Sequence, residues 1–372
     1  MKLKKIIIFY PSFERGGVEK ILVNLINFFL KKNYNILLIS SNFNSNLILN
    51  KKNFKLIEPK YKKSFFINSR ISKSLSAFNK LKAILKNCKK EESIIFSLQS
   101  STLAIIISKI LSFKIVVRNA ENPIYSTIYA ENKIVSYFVL ILKMFFYNFA
   151  NGIISNSKGS EKSLRKILFN KNIKTIYNPY IKKILKRRNN KKLNYILAAG
   201  RLTKQKDFKT LILAFNKIKY DLKEYKLIIL GDGELKKSLK DLIVDLKISS
   251  RVKLMGWINN LEFFYKNSKL FVLSSLYEGL GNVLLDAINY DIPIVTTNCK
   301  SGPSEIINYG KGGYLSPVSN TNVLSQKILY ALRNYKLSKK KSRYAKIKLH
   351  RFLEEKNSSN YLDFIKKIFY EK

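Results

Sequence analysis

The chain has 372 residues, and its 70 Lys and Arg against 24 Asp and Glu give a formal net charge of +46. That length accommodates two domains of ordinary size, each burying its own core. The two cysteines, Cys88 and Cys299, lie far apart with no metal-ligand spacing, which argues against a disulfide framework or zinc site and fits a reducing cytoplasm.

The opening, MKLKKIIIFYPSF, has a basic start and an apolar run that ends in a turn. The run is too short for a signal-peptide core and predicts a first strand. KKIIIFY, NILLIS, SIIFSL, KIVVRN, GIISNS and KTIYNP read as strands, with helices beginning near Val18, Arg70, Thr102, Lys133 and Gly159. That alternation predicts an α/β fold with a doubly wound parallel sheet and ligands at the carboxyl ends of its strands. Gly16-Gly17 stand after the first strand and before a helix. Glycine opens many tight turns, so only a minority of such pairs touch a ligand.

Arg70–Lys90 reads as a basic amphipathic helix with Ile71, Leu75, Phe78, Leu81, Ile84 and Leu85 on one face. A helix laid on a sheet explains it more simply than one lying on a membrane. The 134–150 stretch is apolar nearly all round, which predicts a buried helix, with a surface for a lipid-linked acceptor as the lesser alternative. Lys143 and Asn148 interrupt it, so it is no membrane span. RNAENP then makes a polar loop at a strand's carboxyl end, and Arg118, Asn119 and Glu121 become candidate substrate contacts.

Beyond Pro179, YIKKILKRRNNKKLN is a charged bridge of low apolar content. A second sheet begins with NYILAAGRL. Arg201 ends that strand and can fork onto two phosphate oxygens, and Lys206 adds a point charge. YKLIILGDGEL and RVKLMGWINN supply two more strands, the second followed by Trp257 and Ile258. KLFVLSS is an apolar run short enough for a buried parallel strand. It leads into SSLYEGLGNVLLDAIN, a strand, a glycine turn and a helix start. Bare N–H groups and the positive helix end make such a turn an anion holder. Two carboxylates flank it, Glu278 before the turn and Asp286 roughly on the face that Asn282 begins. GPSEII brings Glu305 into a helix N-terminus, and residues 322–372 read as helical throughout.

The EGLG turn with an acid on either side, the AAGRL segment with Lys206 five residues after Arg201, the KTIYNPY crossover and the GPSEII turn together resemble retaining glycosyltransferases of family four (the group 1 glycosyltransferases). The resemblance implies the GT-B architecture, two Rossmann-like doubly wound domains facing across a cleft. Residues 1–180 would form the acceptor-side domain, residues 181–354 the nucleotide-sugar domain, and a helix at about 355–372 would pack back on the first. It implies sugar transfer, with retention, from a nucleotide-diphosphate sugar to a glycan or lipid-linked acceptor in cell-surface polysaccharide or lipopolysaccharide biosynthesis. The sugar would be a hexose or N-acetylhexosamine.

By the same resemblance the donor would meet Gly16, Gly17, Arg201, Lys206, Ile258, Glu278, Leu280, Gly281, Asn282, Val283 and Asp286. Glu278, Arg201 and Lys206 would serve catalysis. Arg201, Lys206 and the helix start would neutralise the diphosphate, so no metal or cofactor is called for. Two departures stand out. The second acid of the motif is Asp286, one methylene short, and a histidine that many members carry near Arg118 is missing, since His350 is the sole histidine. They keep open a catalytically silent nucleotide-binding or membrane-associated protein on the same fold.

The charge admits an anionic membrane as a further partner, with the chain cytoplasmic and peripheral on the inner face of the plasma membrane. Because the lysines are spread throughout, composition is the plainer reading of the charge. Nucleic acid is set aside, since no helix-turn-helix, RNP or zinc-finger pattern occurs.

Overall fold

A computed structural model describes residues 2–14, 16–61, 69–186 and 192–371. The chain divides into two compact units, one of residues 1–127, 134–180 and 352–372, the other of residues 128–133 and 181–351.

In chain order the first unit runs β1 (Lys5–Ser12), α1 (Gly17–Lys31), β2 (Asn35–Ser41), β3 (Phe54–Ile57), α2 (Ser69–Lys86), β4 (Ser93–Ser97), α3 (Ser101–Ile110) and β5 (Ile115–Asn119). It continues with α4 (Pro123–Ile128), α5 (Lys133–Phe146), β6 (Gly152–Ser155), α6 (Lys158–Ile167) and β7 (Ile173–Thr175). Its sheet has the order β3-β2-β1-β4-β5-β6-β7 and every pairing is parallel. Ile8, for example, lies between Leu38 on one side and Phe96 on the other. Parallel strands need crossover helices, and these cover both faces, which is why IIIFY and IIF can be apolar without alternation.

One face carries a core of Ile6, Ile8, Leu22, Ile26 and Phe29, completed by Tyr361, Phe364, Ile365 and Ile368 from the terminal helix. The other packs Ile7, Phe9, Ile95 and Ile115 against Ala77, Leu81, Leu85 and Ile105. A Cβ at Gly152 would lie 2.8 Å from Ile368 and 2.9 Å from Phe364, so glycine lets the terminal helix press directly onto β6.

The second unit contains β8 (Tyr195–Ala199), α7 (Phe208–Lys217), β9 (Lys226–Leu230), α8 (Lys236–Asp245), β10 (Val252–Leu254), α9 (Glu262–Asn267), β11 (Leu270–Leu273) and α10 (Asn282–Asn289). After these come β12 (Ile294–Thr297), α11 (Pro303–Ile306), β13 (Tyr314–Ser316), α12 (Thr321–Arg333) and α13 (Tyr335–Ile347). The chain then returns to the first unit with α14 (Glu354–Tyr370). The order β10-β9-β8-β11-β12-β13 is again wholly parallel. The α/β, doubly wound reading thus holds in both units. In each sheet the direction of winding reverses once, between β1 and β4 and between β8 and β11, and a crevice opens there at the carboxyl ends.

Three expectations need correction. The FKLI strand β3 went unread because four residues between lysines carry too little pattern. Helix α2 seats through Ala77, Leu81 and Leu85, with Lys73 and Ser74 also buried, whereas Ile71 and Leu75 face outward. Helix α5, expected to be buried, has no buried residue at all. The stretch called bridge covers residues 187–191, which lie outside the described residues.

Candidate functional site

Arg201 and Glu278 leave the carboxyl ends of β8 and β11, the two strands that meet where the second sheet reverses. The loop after β8 is latched to the loop after β9. Leu202 N–H donates to Asp232 O at 2.9 Å, and Leu235 N–H donates to Leu202 O at 2.9 Å. The approach is so close that a Cβ on Gly231 (φ +139) would fall 1.9 Å from Gly200 O. That latch holds Arg201 outward. Its side chain is exposed and makes no hydrogen bond or ion pair with the described residues.

Lys206 turns the other way. Its stem lies over Gly200, where a Cβ would sit 3.2 Å from it. Its Nζ reaches Glu278 Oε1 at 2.5 Å. Ser275 Oγ donates to the same oxygen at 2.7 Å, while Oε2 receives nothing from the described residues. Glu278 is only 6 % exposed. Both loops are stitched together by Ser274 Oγ on Lys206 O (2.8 Å), Leu276 N–H on Gln205 O (2.8 Å) and Gln205 Nε2 on Tyr277 O (3.0 Å). Sequence reasoning anticipated Arg201, Lys206 and Glu278 as one cluster. It missed the pairing of Lys206 with Glu278, and it missed Ser275 and Gln205.

The turn itself is shaped from below. Leu280 is buried, and Gly281 takes the left-handed conformation (φ +92) as it caps α10. That conformation favours glycine. Gly281 brings no side chain to cap the helix, and half-buried Asn282 and Val283 open its first turn. A Cβ on Gly302 (φ +75) would meet the Leu280 backbone at 2.4 Å, so the GPSEII turn packs directly under the glycine turn. Ser301 Oγ fastens the two by donating to Glu278 O at 2.6 Å. Beside it Cys299 is buried, and its thiol is pushed up to about 12, chiefly by burial and then by the Glu278 charge.

Asp286 is half-buried one turn past Asn282. It stands near Tyr265, whose phenol is held well above its usual range by burial and then by Asp286. Ile258 is placed differently. It follows β10 at the sheet's edge, two strands from the reversal, beside exposed Trp257, whose indole N–H donates to Asn259 Oδ1 at 3.1 Å.

In the first unit Gly16 and Gly17 lie exposed where β1 hands over to α1. Near the same strand end sits Lys73, buried, with Nζ 3.4 Å from Ser12 Oγ and 5.2 Å over the Tyr61 ring. No carboxylate among the described residues pairs with it, and a lysine within a basic helix offered no signal in sequence. Arg118 corrects the expectation of an acceptor contact. It is 2 % exposed, with Nε on Tyr361 Oη at 3.0 Å and Nη2 on Asn178 Oδ1 at 2.7 Å. As the next-to-last residue of β5 it points into the core rather than into the loop. Asn119 is likewise buried and donates to Glu121 O, which leaves Glu121 exposed at the loop.

Residues 181–348 match the family model for glycosyl transferases group 1. Among curated proteins the chain is 36 % identical over 215 residues to an uncharacterised glycosyltransferase of Methanocaldococcus jannaschii, covering 54 % of this chain and 52 % of that one. It is 34 % identical over 171 residues to the N-acetylgalactosamine-N,N'-diacetylbacillosaminyl-diphospho-undecaprenol 4-alpha-N-acetylgalactosaminyltransferase of Campylobacter jejuni, covering 46 % of each. The chain thus spans about half the length of these two relatives. Anabaena HepE, solved with UDP and glucose, superposes with a TM-score of 0.79 over 98 % of this chain and 100 % of its own. At 18 % identity that likeness is one of fold.

Proposed function

We propose that this chain, whose second unit is a group 1 glycosyl transferase domain, moves a sugar from a nucleotide-diphosphate sugar onto a glycan or lipid-linked acceptor. The observation that carries the reading is the group at the reversal of the second sheet. An Arg201 side chain with no partner among the described residues, a buried Lys206–Glu278 pair and a helix start with glycine at its N-cap stand on adjoining loops.

In this reading the diphosphate lies against Arg201 and the N-terminus of α10. The guanidinium supplies a bidentate fork and the backbone N–H groups supply fixed dipoles. As the bond from the anomeric carbon to the leaving oxygen breaks, negative charge grows on that oxygen, and these donors stabilise it without reorganising. Lys206, ion-paired with Glu278, adds to the same field. Glu278 Oε2, which takes no bond from the described residues, accepts from the sugar hydroxyls. Its charge favours an oxocarbenium-like transition state. Asp286 accepts from the ribose. The sugar keeps its anomeric configuration, and the diphosphate charge is met by protein groups rather than by a metal or cofactor. Gly16 and Gly17, exposed at the end of β1, remain the first unit's donor-contact candidates, and Glu121 remains the exposed acceptor candidate of its loop.

The name of the Campylobacter relative specifies an N-acetylgalactosamine donor sugar and an undecaprenol-diphosphate-linked acceptor, so UDP-N-acetylhexosamines are the first donors to try. A thermal-shift panel of nucleotide sugars tests donor recognition, since a ligand at 100 times its dissociation constant stabilises by about 2.7 kcal/mol. Mass spectrometry of products, with the anomer read by NMR, tests transfer and retention. Donor binding with no transfer to any glycan or lipid-linked acceptor would instead favour a silent nucleotide-binding protein on this fold.

A further inference from the structure

In helix α5 sequence and surroundings disagree. Eleven of its 14 residues, KIVSYFVLILKMFF, are apolar or aromatic, yet none is buried. Its half-buried positions, Ser136, Leu140, Leu142, Lys143 and Phe146, lead to buried Tyr147 and are turned toward the body of the unit. The opposite face carries Ile134, Tyr137, Phe138, Ile141, Met144 and Phe145 at i, i+3, i+4, i+7, i+10 and i+11, an apolar helical stripe that points outward. Ile134 is 85 % exposed, Ile141 61 % and Phe145 60 %. A globular core would have this face inside, so its exposure calls for an occupant.

The patch does not stop at the helix end. Phe145 packs edge-on against Phe149, with ring centroids 5.3 Å apart. Phe169 N–H donates to Asn148 Oδ1 at 2.7 Å, which fixes a 92 % exposed phenylalanine beside the same end. Exposed cations border these residues, with Lys166 and Lys171 on either side of Phe169 and Lys109 next to exposed Ile110. The carboxylate nearest them in sequence, Glu161, is taken up by Arg165 at 2.8 Å and by Thr175. Glu131 is the acid that precedes the helix.

We propose that α5, with Phe149 and Phe169, inserts into the surface of an anionic lipid bilayer. Fourteen residues make a helix of about 21 Å, shorter than the roughly 30 Å hydrocarbon core, so it would lie in the interface plane rather than span it. A second copy of this chain is the poorer occupant, because two molecules of net charge +46 repel while an anionic surface attracts both the patch's cations and the whole. The inference rests on α5 and its border and is independent of sugar transfer, because lipid binding is measured with no donor present.

The test is flotation of the full chain with phosphatidylcholine vesicles, with and without phosphatidylglycerol. The chain is expected to float with the anionic vesicles, and the double change Ile141→Asp and Phe145→Asp to lower the bound fraction at least ~10-fold. Its melting temperature should be unchanged, because both residues are already exposed. A second variant, Phe138→Trp with Trp257→Phe, places the sole indole on α5. Its emission should shift to the blue on binding and be quenched by brominated acyl chains. Equal flotation of the parent and the aspartate variant, an indole that stays in water, or no flotation at all each overturns the proposal. So does a parent dimer in sedimentation that the aspartate variant disperses, since α5 would then be a subunit interface.

Discussion

Lys206 Nζ and Glu278 Oε1 stand 2.5 Å apart although 72 residues separate them in sequence, and both side chains are nearly closed to solvent. A buried pair of this kind behaves differently from a lysine aimed at solvent. Its desolvation is offset only while both members are present.

Arg201→Ala and Lys206→Ala should therefore part company. Arg201 is exposed and has no side-chain partner among the described residues, so its loss should leave the melting temperature alone and weaken nucleotide-sugar binding by ~1.5–3 kcal/mol, the scale of a charge-assisted hydrogen bond. Lys206→Ala strands a buried carboxylate and should destabilise the fold by ~3–5 kcal/mol as well. Calorimetric titration with donor and denaturant unfolding on the same two variants make the comparison.

Glu278→Gln keeps the shape and the contact with Ser275 but removes the charge next to the reacting carbon. Affinity for the free nucleoside diphosphate should hold while turnover falls by ~100-fold or more. Normal turnover would make Glu278 a structural acid that serves only to neutralise Lys206.

Asp286→Glu restores the longer acid at the second position of the motif. Donor affinity in the titration should equal or exceed that of the parent. Weaker binding would show that the half-buried site beside Tyr265 has no room for the extra methylene.

Gly302→Ala should cost both stability and donor binding. Its φ of +75 strains any side chain, and the new Cβ would press on the Leu280 backbone from 2.4 Å. A melting curve together with donor titration reads both effects, and an unaltered donor affinity would separate the GPSEII turn from the site.

The two cysteines offer a pH-dependent check. Burial holds the Cys299 thiol up at about 12, so at pH 8 iodoacetamide should label half-buried Cys88 and spare Cys299 until the chain unfolds. The raised value also sets a linkage. Below the unfolded thiol's range near 9 the contribution is constant, and stability is lost as pH rises from there toward 12. Cys299→Ser should flatten that alkaline limb in a pH series of unfolding curves.

How far sequence could carry these conclusions depended on the reach of each signal. Short β-branched runs followed by helical periods gave six of the seven strands in the first sheet, because burial on both faces leaves a dense apolar word. Arg201 and Glu278 were each legible as residues leaving a strand's carboxyl end. That Lys206 bonds to Glu278 was not, since it depends on β8 and β11 lying side by side, a pairing that no local pattern specifies. Arg118 was misread because the predicted strand KIVVRN and the predicted loop RNAENP overlap there, and strand residues alternate between faces, so Arg118 of β5 turns inward. Helix α5 was misread for a deeper reason. An apolar circumference says that a helix avoids water and leaves open what it meets instead.

Arg118 and Tyr361 also bear on how the molecule is made. Tyr361, Phe364 and Ile368 of α14 complete a core whose other members run from Leu3 to Ile176, and residues 181–351 of the second unit lie between them in the chain. On the ribosome the amino-terminal sheet therefore emerges first and finishes last. Until α14 is synthesised, the part of that sheet face not covered by α1 lies bare and the Arg118 guanidinium lacks its phenol, while the later-made unit is free to close as soon as its own final helix appears. Vectorial synthesis and order of completion run opposite to one another in this chain, and the interval between them is when nascent-chain chaperones would find an apolar face to hold.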